Sequence, residues 1–284
     1  MIFSKLYISL VAGLREYALD SDAKGLDIDS ILDDVYGALS VEDGRLVQLL
    51  YNYYDCENLA AAMRGRSNFN PLGRLTREQI DRVTSGGDIS DEGWFPQSVV
   101  EVIESYDGGR STTKVESVDG SKSFECALFG AYYEACEGVS NRFMKRWSES
   151  DRNLRNVAAA LSARVAGRAI DDVVVGRGDV VDQLVRSSAV DFGLRGELSY
   201  LDTVITAVSD EQNILEKEHK IDLVRWEIAE ELAEGEYFTL DVVLSYLVRV
   251  NIVARWRVLD AKIGREMFER LMSGLSGKEL INNK

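Results

Sequence analysis

Only two prolines, Pro71 and Pro96, occur in the 284 residues of this chain, and both lie in its first third. Proline inside a helix removes a backbone hydrogen bond and clashes with the preceding turn, so a proline-free stretch leaves long helices free to form. The chain is also rich in Leu, Ala, Glu and Arg, which are strong helix formers. The sequence therefore predicts an all-α protein.

The acidic balance of the chain limits its partners. The formal net charge is −15 at pH 7, which argues against nucleic acid as a partner because phosphate binding needs clustered Lys and Arg. The hydrophobic content of 45% is that of a globular protein, and no run approaches the roughly 18 to 20 apolar residues that cross a bilayer. Cys56, Cys126 and Cys136 lack metal-ligand spacing and are typical of reduced cytosolic thiols.

Apolar residues at three- and four-residue spacing predict long amphipathic helices. They do so over 46–63, over about 124–147, over about 153–169, and from Thr239 through 271. The segment 179–219 is typical of further helices interrupted by glycines. All of these segments favour helix packed on helix as the architecture.

Local signals mark the breaks between these helices. Asn70 before Pro71 predicts a helix N-terminus, and Thr76 with Gln79 predicts a capping box. Pro96 predicts the start of another short helix. The polar, glycine-containing segment 107–123 is the best candidate for a mobile insertion, and the β-branched run at 171–176 is the one place where a strand is possible.

Short fragments that match catalytic motifs lack the context that the chemistry needs. DFGL at Asp191 copies a kinase magnesium-binding triplet, but no catalytic-loop motif accompanies it. DVVVGRGDVV at Asp172 lacks the third glycine of a dinucleotide site. His219 is the only histidine and has no nucleophile motif nearby. No catalytic, cofactor-binding or metal-binding residues are therefore predicted.

An asparagine at the head of an alanine-containing helical run occurs three times. Asn58, Asn156 and Asn251 lie 98 and 95 residues apart, and arginines follow each one. Small residues beside an asparagine let another helix approach closely, and the amide is then able to bond a backbone or polar group across the contact. The pattern is either a packing device used three times or the mark of a threefold internal repeat.

The segment YYDCENLAAAMRGR (53–66) resembles the characteristic segment of one family of rotary-motor proteins, the C subunits of V-type and archaeal A-type ATPases, whose eukaryotic members are designated d. The stretches at 191–201, 216–232 and 238–272 are similar to a bacterial branch of proteins like these C subunits. The resemblance implies a single elongated helical body over 1–284. Three similar sub-bundles, at about 1–106, 107–200 and 201–284, would surround a pseudo-threefold axis and form a funnel.

The resemblance also implies a mechanical role without catalysis or cofactor. A member of this family lies at the cytoplasmic face of the membrane, as a peripheral part of the complex. It connects the D and F subunits of the central stalk to the proteolipid ring, so that ATP hydrolysis in the A and B subunits drives ion transport. Seven residues are candidates for lining the funnel or its rims, or else for bonding helices together: Asn58, Arg64, Arg66, Asn156, Arg164, Asn251 and Arg255.

Two other functions are compatible with the same residues. One is a free-standing helical scaffold or adaptor that has the fold but does not belong to the motor. The other is a metal-dependent enzyme that uses one acidic helix face, formed by Glu227, Glu230, Glu231 and Glu234. On a chain this acidic, a solvated face is the expected role of such a cluster.

Overall fold

The computed structural model describes residues 6–19, 23, 25–105, 114–117, 120–209 and 214–259. Within these ranges the regular structure is helical apart from one short hairpin, and the sequence predicts this all-α class. The helices are α1 (Ile8–Gly13), α2 (Ile28–Ala38), α3 (Val41–Met63), α4 (Arg77–Thr84), α5 (Gln97–Glu104), α6 (Phe124–Gly138), α7 (Arg142–Val165), α8 (Asp179–Arg186), α9 (Leu201–Ser209), α10 (Ile214–Leu232) and α11 (240–259), with a short 3₁₀ turn at Ile89–Asp91.

The described strands form one small antiparallel hairpin. Strands β1 (Lys114–Ser117) and β2 (Gly120–Ser123) pair with each other and lead directly into α6. They fall in the segment predicted to be an insertion, and its remaining part, 107–113 and 118–119, lies outside the described residues. The possible strand at 171–176 is wrong, because these residues form turns and an irregular connection between α7 and α8.

Side-chain caps explain where several helices begin. The predicted capping box is present, since the Thr76 hydroxyl accepts from the Gln79 backbone N–H and the Gln79 side chain accepts from the Thr76 backbone N–H. The predicted helix over about 124–147 is wrong at its C-terminal boundary. Helix α6 stops at Gly138, and Asn141 caps α7 by accepting from the Met144 backbone N–H at 2.8 Å.

The predicted helix start at Asn70 and Pro71 is also wrong. The Asn70 side-chain oxygen accepts from the Leu72 backbone N–H at 3.0 Å, which closes a turn two residues long. Residues 71–75 therefore form a compact loop before α4. Asparagine favours either outcome, because the same side-chain oxygen that caps a helix also closes such turns.

Two hydrophobic cores lie side by side and share helix α7. The larger core is built around α3, α5, α6 and α11, and the N-terminal part of α7 adds Phe143, Met144 and Trp147 to it. The smaller core lies among α7, α8, α9 and α10, and the C-terminal part of α7 adds Leu154 and Leu161 to it. One helix of 24 residues is thus a wall of both cores.

Candidate functional site

Asn58 binds the loop that follows its own helix. It lies near the C-terminal end of α3 and is buried. Its side-chain oxygen accepts from the Asn70 backbone N–H at 2.6 Å, and its Nδ2 donates to the Asn70 backbone C=O at 3.0 Å. One amide therefore satisfies both backbone groups of a single loop residue, which holds the loop against α3.

Asn156 makes the same arrangement on α7. It is completely buried, its side-chain oxygen accepts from the Val175 backbone N–H at 2.8 Å, and its Nδ2 donates to the Val175 backbone C=O at 2.8 Å. Val175 belongs to the loop after α7, just as Asn70 belongs to the loop after α3. We call these two arrangements the asparagine clamps.

Asn251 on α11 has different partners. It is buried, and its side-chain oxygen accepts from the Tyr51 hydroxyl of α3 at 2.8 Å, a contact between residues 200 positions apart. Among the described residues, its Nδ2 has no hydrogen-bond partner. Asn251 therefore joins two helices of the larger core rather than clamping a loop.

A buried carboxylate supports the first clamp. Asp55, one turn before Asn58, accepts from the Leu75 backbone N–H at 2.9 Å. Burial raises the pKa of Asp55 to about 6, although the backbone N–H groups of Leu75 and Arg74 act in the opposite direction by bonding the charged form. The loop 70–75 is thus held to α3 by two side chains, the neutral amide of Asn58 and the acidic carboxyl group of Asp55.

Gly73 passes so close to the first clamp that a side chain has no room. A Cβ at this position would lie 2.5 Å from Asn58 Nδ2 and 2.9 Å from Asp55 Oδ1. We expect Gly73→Ala to lower the free energy of unfolding by about 1–3 kcal/mol, the usual range for overpacking a tight site. Urea denaturation followed by circular dichroism measures the change.

Gly130→Ala is the matched control. Gly130 lies inside α6, and a Cβ there would meet nothing within 4 Å. Alanine is the better helix former, so this variant should gain about 0.5–1 kcal/mol. Equal stability of Gly73→Ala and the original chain would contradict the close approach.

Of the candidate arginines, Arg164 serves the smaller core. Its guanidinium donates to the carbonyl oxygens of Ala189 at 2.7 Å and Ser187 at 2.9 Å, and it lies 3.9 Å from the ring centre of Phe192. Phe192 is buried with a φ of 54°, in the left-handed region. The kinase-like fragment at Asp191 is therefore a tight turn that Arg164 covers.

The other candidate arginines meet in one cavity of about 600 Å³ between the α3 C-terminus, the loop 66–72 and α11. Asn58, Arg64, Arg66 and Arg255 line it, whereas Asn156 and Arg164 do not. We call it the arginine cavity. It brings together six arginines and three carboxylates: Arg64, Arg66, Arg74, Arg155, Arg255, Arg257, Asp29, Glu57 and Glu125.

A smaller cavity of about 210 Å³ adjoins the first, and residues including Glu57 and Arg255 line both. Asn251 lines the smaller one only. Burial raises the pKa of Glu57, and a hydrogen bond of 2.7 Å from the Asn70 side chain opposes that rise. The two cavities thus form one polar cleft beside the first asparagine clamp.

A buried ion network forms one wall of the smaller cavity. Arg225 donates to Asp151 at 2.8 Å and to Asp222 at 3.1 Å, and Asp222 also accepts from Arg255 and from Trp256 Nε1, the latter at 2.9 Å. Burial on its own would lower the pKa of Arg225, but the two carboxylates raise it well above its usual range. Arg255 reaches Glu218 as well, which links α7, α10 and α11.

No sequence motif predicts this ion network, although one local signal for it is present. Asp151 follows Trp147 by four residues and precedes Leu154 by three, so it lies on the buried stripe of α7. A carboxylate on an apolar stripe indicates a buried cationic partner, because an unpaired buried charge is strongly unfavourable. The partner itself, Arg225, is 74 residues away and carries no local mark.

The acidic helix face and the histidine show no arrangement typical of a metal site. Across the part of the chain that the structure describes, no group of His, Cys, Asp and Glu residues is placed to hold a metal ion. Glu230 pairs with Arg249 at 3.1 Å, and His219 lies edge-on to Trp256 with ring centres 5.3 Å apart. No described helix has the length and apolar character needed to cross a membrane.

A family model described as "Protein of unknown function (DUF2764)" matches residues 3–278. The comparison with curated proteins and the comparison with solved structures found no match. The matched range contains all the described helices, both asparagine clamps and both cavities.

Proposed function

We propose that this chain, which belongs to the DUF2764 family, is a non-catalytic central-stalk component of a V-type rotary ATPase or synthase. In this role it connects the D and F shaft subunits to the proteolipid ring at the cytoplasmic face of the membrane. Its helical units would surround a pseudo-threefold axis and form a funnel-like body. The resemblance of residues 53–66 to the C subunits of these motors is the origin of the proposal.

The observation that carries the proposal is the pair of asparagine clamps. Asn58 and Asn156 are 98 residues apart, and each binds both backbone groups of one residue in the loop after its helix. A body built from repeated helical units would use one amide in the same two-bond way at a regular interval. Repeated units are what the resemblance to the C subunits implies.

The packing of the chain suits a part that transmits torque. A rotor coupling must not yield between the shaft and the ring, so it needs a densely packed body. The clamps, the Tyr51–Asn251 bond and the ion network of Asp222 tie loops and helices together inside the cores. The net charge of −15 favours partners with basic contact surfaces.

An affinity purification tests the proposal. A tagged copy of the chain is expressed in its source cells, purified from detergent-solubilised membranes at low and at high salt, and its partners are identified by mass spectrometry. We expect the A, B and D subunits to be recovered with the proteolipid. Recovery should fall at high salt, because screening weakens attraction between charged surfaces.

The tag alone, expressed in the same cells, is the control for non-specific capture. Recovery of other partners with no motor component, from the soluble fraction, would contradict the motor role and favour a helical adaptor. The enzyme alternative would be favoured by a hydrolytic activity of the purified chain that requires an added divalent metal. That activity should then be lost in the variant Glu227→Gln.

A further inference from the structure

The arginine cavity has the opposite charge to the protein around it. The chain carries a formal charge of −15, yet the described residues that line the cavity include six arginines and three carboxylates. These arginines come from the segment that follows α3, from α7 and from α11, so three separate parts of the chain deliver cations to one place. Like charges repel at short range, so such a concentration needs compensation.

The carboxylates in the described ranges compensate only some of these arginines. Arg74 pairs with Asp29 at 2.8 Å, and Arg255 pairs with Glu218 and Asp222 outside the cavity. Arg64 and Arg155 share a single carboxylate, Glu125.

Two exposed arginines of the cavity have no carboxylate partner within the part of the chain that the structure describes. The Arg66 side chain makes no hydrogen bond or ion pair to any described residue. The Arg257 guanidinium donates to the backbone carbonyl oxygen of Leu26 at 2.6 Å, and no described carboxylate pairs with it. Both residues are exposed, so they are accessible to a ligand that enters the cavity.

Besides the charged residues and three asparagines, the lining is apolar and includes Ala60, Ala61, Phe69, Ala254 and Val258. A volume of about 600 Å³ lies in the usual range of small-molecule sites, which combine an apolar lining with a few converging polar groups. Guanidinium groups bind carboxylates and phosphates with two parallel hydrogen bonds, so arginine is the residue type that such anions require.

We propose that the arginine cavity binds a small ligand that carries two or more oxyanion groups, carboxylate or phosphate. Arg66 and Arg257 bind the anionic groups at the opening, and Arg64 is the next donor. The apolar part of the lining contacts the remainder of the ligand. This site goes beyond the proposed motor role, and its test uses the purified chain with no other protein present.

Isothermal titration calorimetry at low salt, with inorganic pyrophosphate and separately with citrate, tests the site. We expect saturable binding of at least one of the two at one site per chain, and the stronger probe identifies the preferred oxyanion. In Arg66→Ala/Arg257→Ala the affinity should fall at least about tenfold, because charge-assisted hydrogen bonds are lost. The single substitution Arg66→Ala disturbs no described hydrogen bond, and it should lower the affinity by a smaller factor.

The matched control is Arg45→Ala/Arg146→Ala. Both arginines are exposed and lie outside the cavity, and replacing them removes the same total charge as the double substitution in the cavity. Circular dichroism melts establish that each variant is folded. Three outcomes would overturn the proposal: no saturable heat with either probe, an equal loss of affinity in the control, or binding only of a hexaglutamate peptide, which would assign the cavity to an acidic protein segment.

Discussion

Replacing Asp222 by alanine is expected to lower the free energy of unfolding by about 3–5 kcal/mol, the cost of breaking a buried ion pair on one side. Asp222 is 1% exposed and accepts hydrogen bonds from Arg225, Arg255 and Trp256. The substitution leaves buried donors of three side chains short of an acceptor. Chemical denaturation at neutral pH, followed by tryptophan fluorescence and circular dichroism, measures the loss.

Asp202→Ala is the matched control for this prediction. Asp202 also pairs with an arginine, Arg195, at 2.9 Å, but the two side chains are 64% and 66% exposed. An exposed pair contributes about 0–1 kcal/mol, so the control should change stability little. If both variants lost the same small amount, the network around Asp222 would be solvated in solution and the buried arrangement would be wrong.

Replacing Asn156 by alanine is expected to lower the free energy of unfolding by about 2–6 kcal/mol. The change leaves the N–H and C=O of Val175 without partners, and each buried backbone group without a partner costs about 1–3 kcal/mol. Val175 is 1% exposed, so solvent does not replace the lost amide. The same denaturation experiment gives the value, and Asn58→Ala should show a loss of the same kind at the first clamp.

Asn68→Ala serves as the control for the clamp variants. Asn68 is exposed, and no described hydrogen bond of its side chain is lost on replacement. Surface substitutions of this kind usually stay within about 0.5 kcal/mol of the original stability. A loss at Asn156 no larger than that at Asn68 would mean that the second clamp does not hold its loop.

Signals within a few residues of each other predict the helices well. Helical propensity, the scarcity of proline and the Thr76–Gln79 box are local, and the structure confirms the all-helical class and that cap. The sequence pattern places the break between these helices at the polar residues 148–152, whereas α6 ends at Gly138 and α7 begins at Arg142. Ser148 and Asp151 are nevertheless buried, since the fold supplies hydrogen-bond partners for them.

Contacts between distant segments do not follow from the sequence. The spacing of asparagine and alanine marks Asn58 and Asn156, but it does not indicate that their partners are single loop residues 12 and 19 positions away. The arginine cavity has the same limitation, because its cations come from the segment after α3, from α7 and from α11, which meet only in the folded chain. Local sequence patterns predict the helices, whereas the paths of the loops determine which polar side chains come into contact.

Helix α7 has a consequence for how the protein opens. Its first half is packed in one hydrophobic core and its second half in the other. Asp151 and Asn156, which make buried polar contacts, lie in the middle of the same helix. Neither core is able to separate from this helix without exposing apolar surface in its neighbour. We therefore expect the two cores to open as a single cooperative unit, so that amide hydrogens in the buried middle of α7 exchange with solvent mainly when the whole unit opens.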